Sequence, residues 1–332
     1  MYNVLMKTMA TKIKDFFITK KDYCFILAIV FVLYNLILIC NGCFPYGNKT
    51  VLMGDSIYQV GPFFEHFFNV FEGKSTLFYS NYVGGGVEIF STLEYLLFNP
   101  FYLVVFLGGK NNVFYMFNIA VMLMFLFNAL IFFWFSKKYF KNINILSRFA
   151  LTILFVFSVY ISTNFCLTTW LIFPSILLIL IDKFLKLVNE GKITAFVCVL
   201  VWYVLNCFSV GVSSNIILIV LFSAYIFFTK SKEEQKPIFV RLFIAYLLAV
   251  LICVIILFPS LIALLNSGRT QFSFAKLFES KNNFTLFKFA GICLEGILYI
   301  FAIFHLIKAD KKQGINKFYI FAFIFHMFFS HL

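Results

Sequence analysis

Apolar residues run in nearly unbroken stretches along the whole chain, divided by short polar turns. A continuous apolar run of about 20 residues is what a helix needs to cross the hydrocarbon core of a bilayer. Read this way, the pattern predicts eight spans, at residues 23–40, 113–136, 149–165, 168–187, 193–210, 212–229, 238–264 and 286–307, with a ninth apolar run at 317–329. The expected fold class is an all-α polytopic membrane protein of about 8–9 transmembrane helices: a tail at residues 1–22, then a transmembrane domain over residues 23–332.

The rhythm of span and short turn breaks once. Residues 41–112 form a long loop between the first two spans, and loops of that length usually carry function. After Gly61–Pro62, a helix start, Phe63, Phe64, Phe67, Phe68 and Phe71 make an apolar stripe, while Glu65, His66, Asn69 and Glu72 take the other face and Gly73 suits the C-cap. The pattern predicts an amphipathic helix lying on the outer membrane surface, with a helix packed on its own protein as the alternative. Gly84, Gly85 and Gly86 permit a tight turn. The apolar run 95–107 is too short to span and is interrupted at Asn99–Pro100, which predicts an interfacial or re-entrant helix.

Composition agrees: 62% of the residues are hydrophobic and 12% charged, against about 25% charged in a soluble domain. The net charge of +13 would suit a nucleic-acid binder, but its distribution assigns it elsewhere. With the N-terminus inside, 20 of the 27 Lys and Arg residues fall on the cytoplasmic face and 7 on the outer one. The basic balance is a topology signal, with contact to anionic membrane lipids as a secondary effect, and no nucleic acid is required as a partner. The first apolar run follows a basic leader and lacks a small-residue cleavage site, so it reads as a retained helix of a multi-pass cell-membrane protein with a cytoplasmic N-terminus.

The acids sort by face. Five of the 14 Asp and Glu residues (Asp55, Glu65, Glu72, Glu88 and Glu94) fall in the long outer segment. Glu295 lies inside the eighth span, where a charge is costly unless paired or protonated, and is a functional candidate. Asp182 and Lys186 read as a solvated i, i+4 pair at an inner helix end. Arg148 and Arg241, at inner ends, read as topology anchors. Arg269, the outer face's single arginine, is either a headgroup anchor or a bidentate phosphate ligand. Asp55 suits the N-cap of the turn "DSIY" as well as it suits catalysis. Most cysteines lie inside helices, and "CNGC" at Cys40–Cys43 lacks the second ligand pair of a metal site or the context of a redox motif. No phosphate-loop, dinucleotide or zinc spacing occurs, so no cofactor is expected, and a divalent-metal requirement is left open.

The outer segment "GDSIYQVGPFFEHFFNVFEGKSTLFYSNYVGGGVEIF", followed by "EYLLFNPFYLVVFL", resembles the YfhO family of bacterial multi-pass proteins. The shared pattern is an Asp with a nearby aromatic and Gln, a glycine-rich turn, and a tyrosine-rich segment ending in Ser/Asn-Pro-Phe. "WLIFPSILLILIDKFLKLVNEGK" and "LFPSLIALLNSGR" are similar to later spans of the family, and the likeness covers most of residues 30–275. The resemblance implies a membrane glycosyltransferase of the GT-C type, using a polyprenyl-phosphate sugar as donor and glycosylating a cell-wall polymer such as lipoteichoic acid, or a glycolipid, outside the membrane. It implies that Asp55 is the catalytic base or orients the acceptor. Tyr58, Gln59, Asn99 and Pro100, and Arg269 match further family positions. Members of the family usually continue well beyond 332 residues with more spans, so this chain is expected to be C-terminally truncated relative to them or a short relative.

The chemistry of such a transfer needs a base for the acceptor hydroxyl, a cation for the departing phosphate and stacking surface for the sugar. Asp55 and Arg269 fill the first two roles, and Tyr58, Gln59 and Glu88 shape the sugar site. Two other classes stand beside this reading. A lipid or polysaccharide transporter would place polar residues at mid-membrane and often shows an internal repeat. A non-catalytic membrane assembly protein, or a fragment of an enzyme, is the third possibility. The charge asymmetry is directly testable: an alkaline phosphatase reporter fused after residue 75 should be active and one fused after residue 141 inactive, and the reverse pattern would invert the topology.

Overall fold

The computed structural model describes residues 20–266 except 82–85, 90–97, 159, 162–163, 165–166 and 207. These residues fall into two compact units. One runs up to Asp182 and includes Trp202–Phe208; the other comprises Lys183–Val201 and the chain from Ser209 onward.

The first unit is built on two long apolar helices, α1 (Lys21–Asn41) and α4 (Val113–Tyr139). Both are apolar all round, as a helix facing lipid on one side and protein on the other has to be. The tertiary structure selects a narrow seam on α1. Ile26, Val30, Tyr34 and Leu38, each four residues from the last, are at most 2% exposed, while Phe25, Val32, Leu36 and Ile39 point outward. Tyr34 packs its ring on Phe125 at 5.0 Å and donates its hydroxyl to the backbone oxygen of Asn118. At the other end of the pair, Asp22 and Lys137 form an ion pair at 2.8 Å.

Between these helices the described parts of the long loop form short elements of their own. A helical turn at Ser56–Val60 runs into α2 (Gly61–Phe71). A two-residue antiparallel ladder joins β1 (Tyr79–Ser80) to β2 (Val87–Glu88), with Tyr79 opposite Glu88. A 3-10 turn, Pro100–Tyr102, then leads into the short helix α3 (Leu103–Leu107).

The stripe on α2 forms as expected, and most of it packs on its own protein, the alternative the pattern allowed. Phe64 is fully buried against the rings of Tyr102, Phe106 and Phe117 at 4.9–5.4 Å. Phe67, Phe68 and Phe71 all contact the ring of Phe106. His66, assigned to the polar face, is 1% exposed because the following turn folds back over it: its Nε2 lies 3.0 Å from the Thr76 carbonyl and its Nδ1 3.4 Å from Ser75 Oγ.

Four helices among the described residues are long and apolar enough to cross a bilayer, at Lys21–Asn41, Lys110–Tyr139, Val210–Thr229 and Lys232–Ala263. The expected span 149–165 begins as α5 (Ile145–Val156) and stops after 12 residues. At 1.5 Å per residue that is about 18 Å, well short of the hydrocarbon core. The expected span 168–187 starts as a 3-10 turn, Thr168–Trp170, and becomes α6 (Phe173–Glu190) only where Pro174 favours a helix start. The expected span 193–210 is α7 (Ile193–Asn206), which at 14 residues is, like α5, a shorter apolar helix and not one of the four long enough to cross. The runs at 286–307 and 317–329 lie outside the described residues.

Asp182 on α6 is not a solvated partner of Lys186. It is fully buried and accepts from Lys138 Nζ and, at 2.9 Å, from the Tyr139 hydroxyl. A carboxylate so placed needs these charge-assisted bonds to offset its lost hydration.

In the second unit, Phe184 stacks on Phe222 of α8 (Phe208–Thr229) at 4.0 Å. Phe196 and Tyr246 meet at 6.1 Å, and Tyr246 donates to Asn215 Oδ1. α9 (Lys232–Asn266) starts from a capping box in which Glu234 reaches back to the Ser231 amide and hydroxyl.

Asn118 is the densest polar node of the first unit. Its Oδ1 accepts from the Val51 amide (2.8 Å) and Thr50 Oγ1 (3.3 Å), and its Nδ2 donates to the carbonyls of Phe44 (2.8 Å) and Lys49 (3.2 Å). Asn118→Ala is expected to lower stability by about 3 kcal/mol, since several buried groups lose partners at once. It should also loosen the loop over Cys43, whose thiol burial holds above its usual pKa against the smaller opposing pull of Lys49. With Cys43 as the sole cysteine, maleimide labelling at pH 8 should be slow in the parent and faster in Asn118→Ala.

Candidate functional site

The candidate site grows from the loop that Asn118 holds. Beyond Val51 the chain reaches Gly54, whose φ of +54° turns it into the helical segment at a cost a side chain would raise. The amides of Ile57 and Tyr58 bond the Gly54 carbonyl, and the Gly61 amide bonds Ser56 O, an i→i+5 closure. A π-type turn of this kind widens the helix locally and is frequent at functional sites.

The turn has two faces. Ser56 and Val60 are buried, whereas Asp55, Tyr58 and Gln59 are exposed, with Tyr58 at 78%. The structure therefore brings three of the candidate residues onto one outward face. Asp55 stands at the cap position, but its φ and ψ are helical and its side chain makes no capping hydrogen bond. The capping alternative for Asp55 is not what the carboxylate does, and its oxygens are presented to the outside.

Beneath this face lies a buried polar floor that the sequence pattern does not announce. Ser56 Oγ accepts from the Thr168 amide at 3.1 Å, and Thr168 Oγ1 is 2.6 Å from the Tyr102 hydroxyl. Asn206 Nδ2 donates to the Thr169 carbonyl at 2.9 Å. Among the described residues, Thr169 Oγ1 and Asn206 Oδ1 are buried without a hydrogen-bond partner. The signal for these residues is a small polar side chain inside an apolar run, which by itself does not say what it faces.

The other candidates lie elsewhere. Glu88 is exposed on the β1–β2 ladder opposite Tyr79. Of the glycine-rich turn, Gly86 has φ +116°, and a Cβ there would stand 2.3 Å from the Tyr79 hydroxyl, so glycine is required for this closure. Asn99 is 2% exposed and its side chain caps the following turn by accepting from the Phe101 amide, so its visible role is structural. Nearby, Trp202 anchors the same stretch by donating to the Phe98 carbonyl. Arg269 and Glu295 lie outside the described residues.

Glu72, Lys74 and Lys110 form a small exposed charge cluster at the end of α2. The Lys74 ammonium, hydrogen-bonded at 2.6 Å, holds the Glu72 carboxyl below its usual range, and Lys110 adds to this. Among the described residues, no three His, Cys, Asp or Glu side chains converge as a metal-binding group.

The two faces of the turn predict opposite behaviour. Asp55→Asn should leave thermal stability within about 0.5 kcal/mol of the parent, since it breaks no cap. Ser56→Ala should cost about 2 kcal/mol by stranding the buried Thr168 amide. Thermal unfolding of both variants in detergent checks the pair.

No curated protein and no solved structure matches the chain. The family model for bacterial membrane protein YfhO matches residues 25–332. That match takes in both units, the long loop and the exposed turn at Asp55, so the chain belongs to the YfhO family of bacterial membrane proteins.

Proposed function

We propose that this protein is a membrane glycosyltransferase that moves a sugar from a polyprenyl-phosphate donor to a cell-wall polymer or glycolipid acceptor at the outer face of the cell membrane. The observation that carries the reading is the exposed Asp55–Tyr58–Gln59 face, whose carboxylate is spared from capping while the turn itself is pinned by Ser56 and Asn118. YfhO-family membership supports it.

In this reading Asp55 takes the proton of the acceptor hydroxyl as the oxygen attacks the anomeric carbon, and the C–O bond to the donor phosphate breaks with its electron pair leaving on the phosphate. Rigid placement matters, because a general base acts only within hydrogen-bond reach of its proton. Tyr58 supplies an aromatic face for the sugar and Gln59 a hydrogen-bonding edge, with Glu88 shaping the same surface. Arg269 receives the charge developing on the phosphate. Asn99 supports the site from inside the fold.

The test is transfer from a labelled polyprenyl-phosphate sugar in membranes containing the full chain. Asp55→Asn should reduce transfer by about 100-fold or more at equal protein level. Parental transfer by Asp55→Asn would refute the assignment of the base, and no transfer by the parent from any polyprenyl-phosphate sugar would refute the enzyme reading.

A further inference from the structure

At the end of the first unit where α1 begins, α4 turns into α5 through residues 140–144. Two lysines entering this turn have acidic partners: Lys137 pairs with Asp22, and Lys138 with Asp182. Arg148, one turn into α5, does not. It is 6% exposed, and its Nη2 donates to the carbonyls of Phe140 and Ile143, both at 3.1 Å. These bonds fold the guanidinium back over the start of α5. Among the described residues its Nη1 is buried with no partner, and no carboxylate lies within ion-pair distance.

An arginine cannot relieve this by losing its proton. A buried charge without a counter-charge is costly, so the turn holds a cation in want of an anion. The backbone offers the same preference. Asn144 satisfies only the Ser147 amide with its side chain, and the amides of Ile145 and Leu146 take no partner among the described residues. Free amides at a helix start favour negative charge. Lys141 adds an exposed ammonium in the turn.

The surroundings choose the kind of anion. Ile145, Leu146 and Leu154 are 44%, 76% and 67% exposed on α5, an apolar surface suited to acyl chains. A hydrated free ion gains nothing from that surface, whereas a lipid phosphate brings its own tails to it.

We infer that the α4–α5 turn is a binding site for the phosphate of an anionic phospholipid, held by Arg148 Nη1 and the first amides of α5, with Lys141 as the second charge. The site stands apart from the glycosyltransferase reading, and its failure leaves that reading intact.

The test uses the full chain in a neutral detergent, with thermal unfolding read against added phosphatidylglycerol, phosphatidylcholine or inorganic phosphate. Phosphatidylglycerol at saturation should raise the unfolding midpoint by about 5 °C, with no response to the other two. Arg148→Gln should lose the shift. Lys141→Gln, a change at an exposed position that leaves the fold intact, should weaken the apparent affinity about fivefold. An equal response to phosphatidylcholine, or an unchanged affinity in Lys141→Gln, would overturn the proposal. A matching shift with inorganic phosphate would overturn its assignment to a lipid. Where Arg148→Gln does not fold, Arg148→Lys serves: it keeps the charge but not the planar fork, and a parental shift would show the fork to be unnecessary.

Discussion

A single buried carboxamide governs the half of the first unit that carries the long loop. Asn118 sits in the second turn of an apolar helix with no exposure, where an unsatisfied amide would cost more than most single contacts contribute. Its hydrogen-bonding capacity is met by one stretch of chain, residues 44–51, through two carbonyls, a hydroxyl and an amide. The loop after α1 must therefore lie against α4 in one register. That register decides where the chain emerges at Gly54 and which way the next turn faces. Tyr34, donating to the Asn118 backbone, ties the same point to α1.

From this anchor the outer loop assumes a layered form. Its aromatic residues face inward, with Phe64 meeting three rings, and its polar floor joins segments far apart in sequence through Ser56, Tyr102 and Thr168. Only then does an outward layer remain, and it carries Asp55, Tyr58 and Gln59. A carboxylate left exposed on a turn fixed from beneath keeps its place without spending its oxygens on structure. The opposite end of the unit is organised by charge: Lys137 and Lys138 each meet a carboxylate, while Arg148, among the described residues, bonds only to carbonyl oxygens. Partly buried ionic groups at a helix end are costly to leave unpaired, so these residues set the chain's geometry there as firmly as Asn118 does at the loop end.

Much of this was legible beforehand, and the misses share one cause. α1 and α4 were readable because a long run of apolar side chains has few other stable solutions. The helix at Gly61–Phe71 was readable from its phenylalanine spacing, but periodicity reports an apolar face and not its partner. A stripe suited to a membrane surface is equally suited to Phe106 and Tyr102, and His66 went inward because the next turn supplied its hydrogen bonds. The run at 149–165 looked like a span because hydropathy averages over a window, whereas the helix ends after Val156. Asp182 was read with Lys186 because sequence sees only local neighbours, while its partners, Lys138 and Tyr139, are some 44 residues away.

The sequence by itself determined the solvent, the helical class, the long loop after the first helix and the acidic character of that loop. Each of these follows from composition and period, which depend on neighbours along the chain. The tertiary structure alone decided which side of each apolar helix is seam and which is free, that Asp55 does not cap, and that Ser56 and Asn118 hold the turn that presents it. Those outcomes rest on hydrogen bonds and ring contacts between residues 64 to 112 positions apart. A buried polar group takes whatever partner the packed chain brings within about 3 Å, and that partner is settled only once the chain has closed on itself.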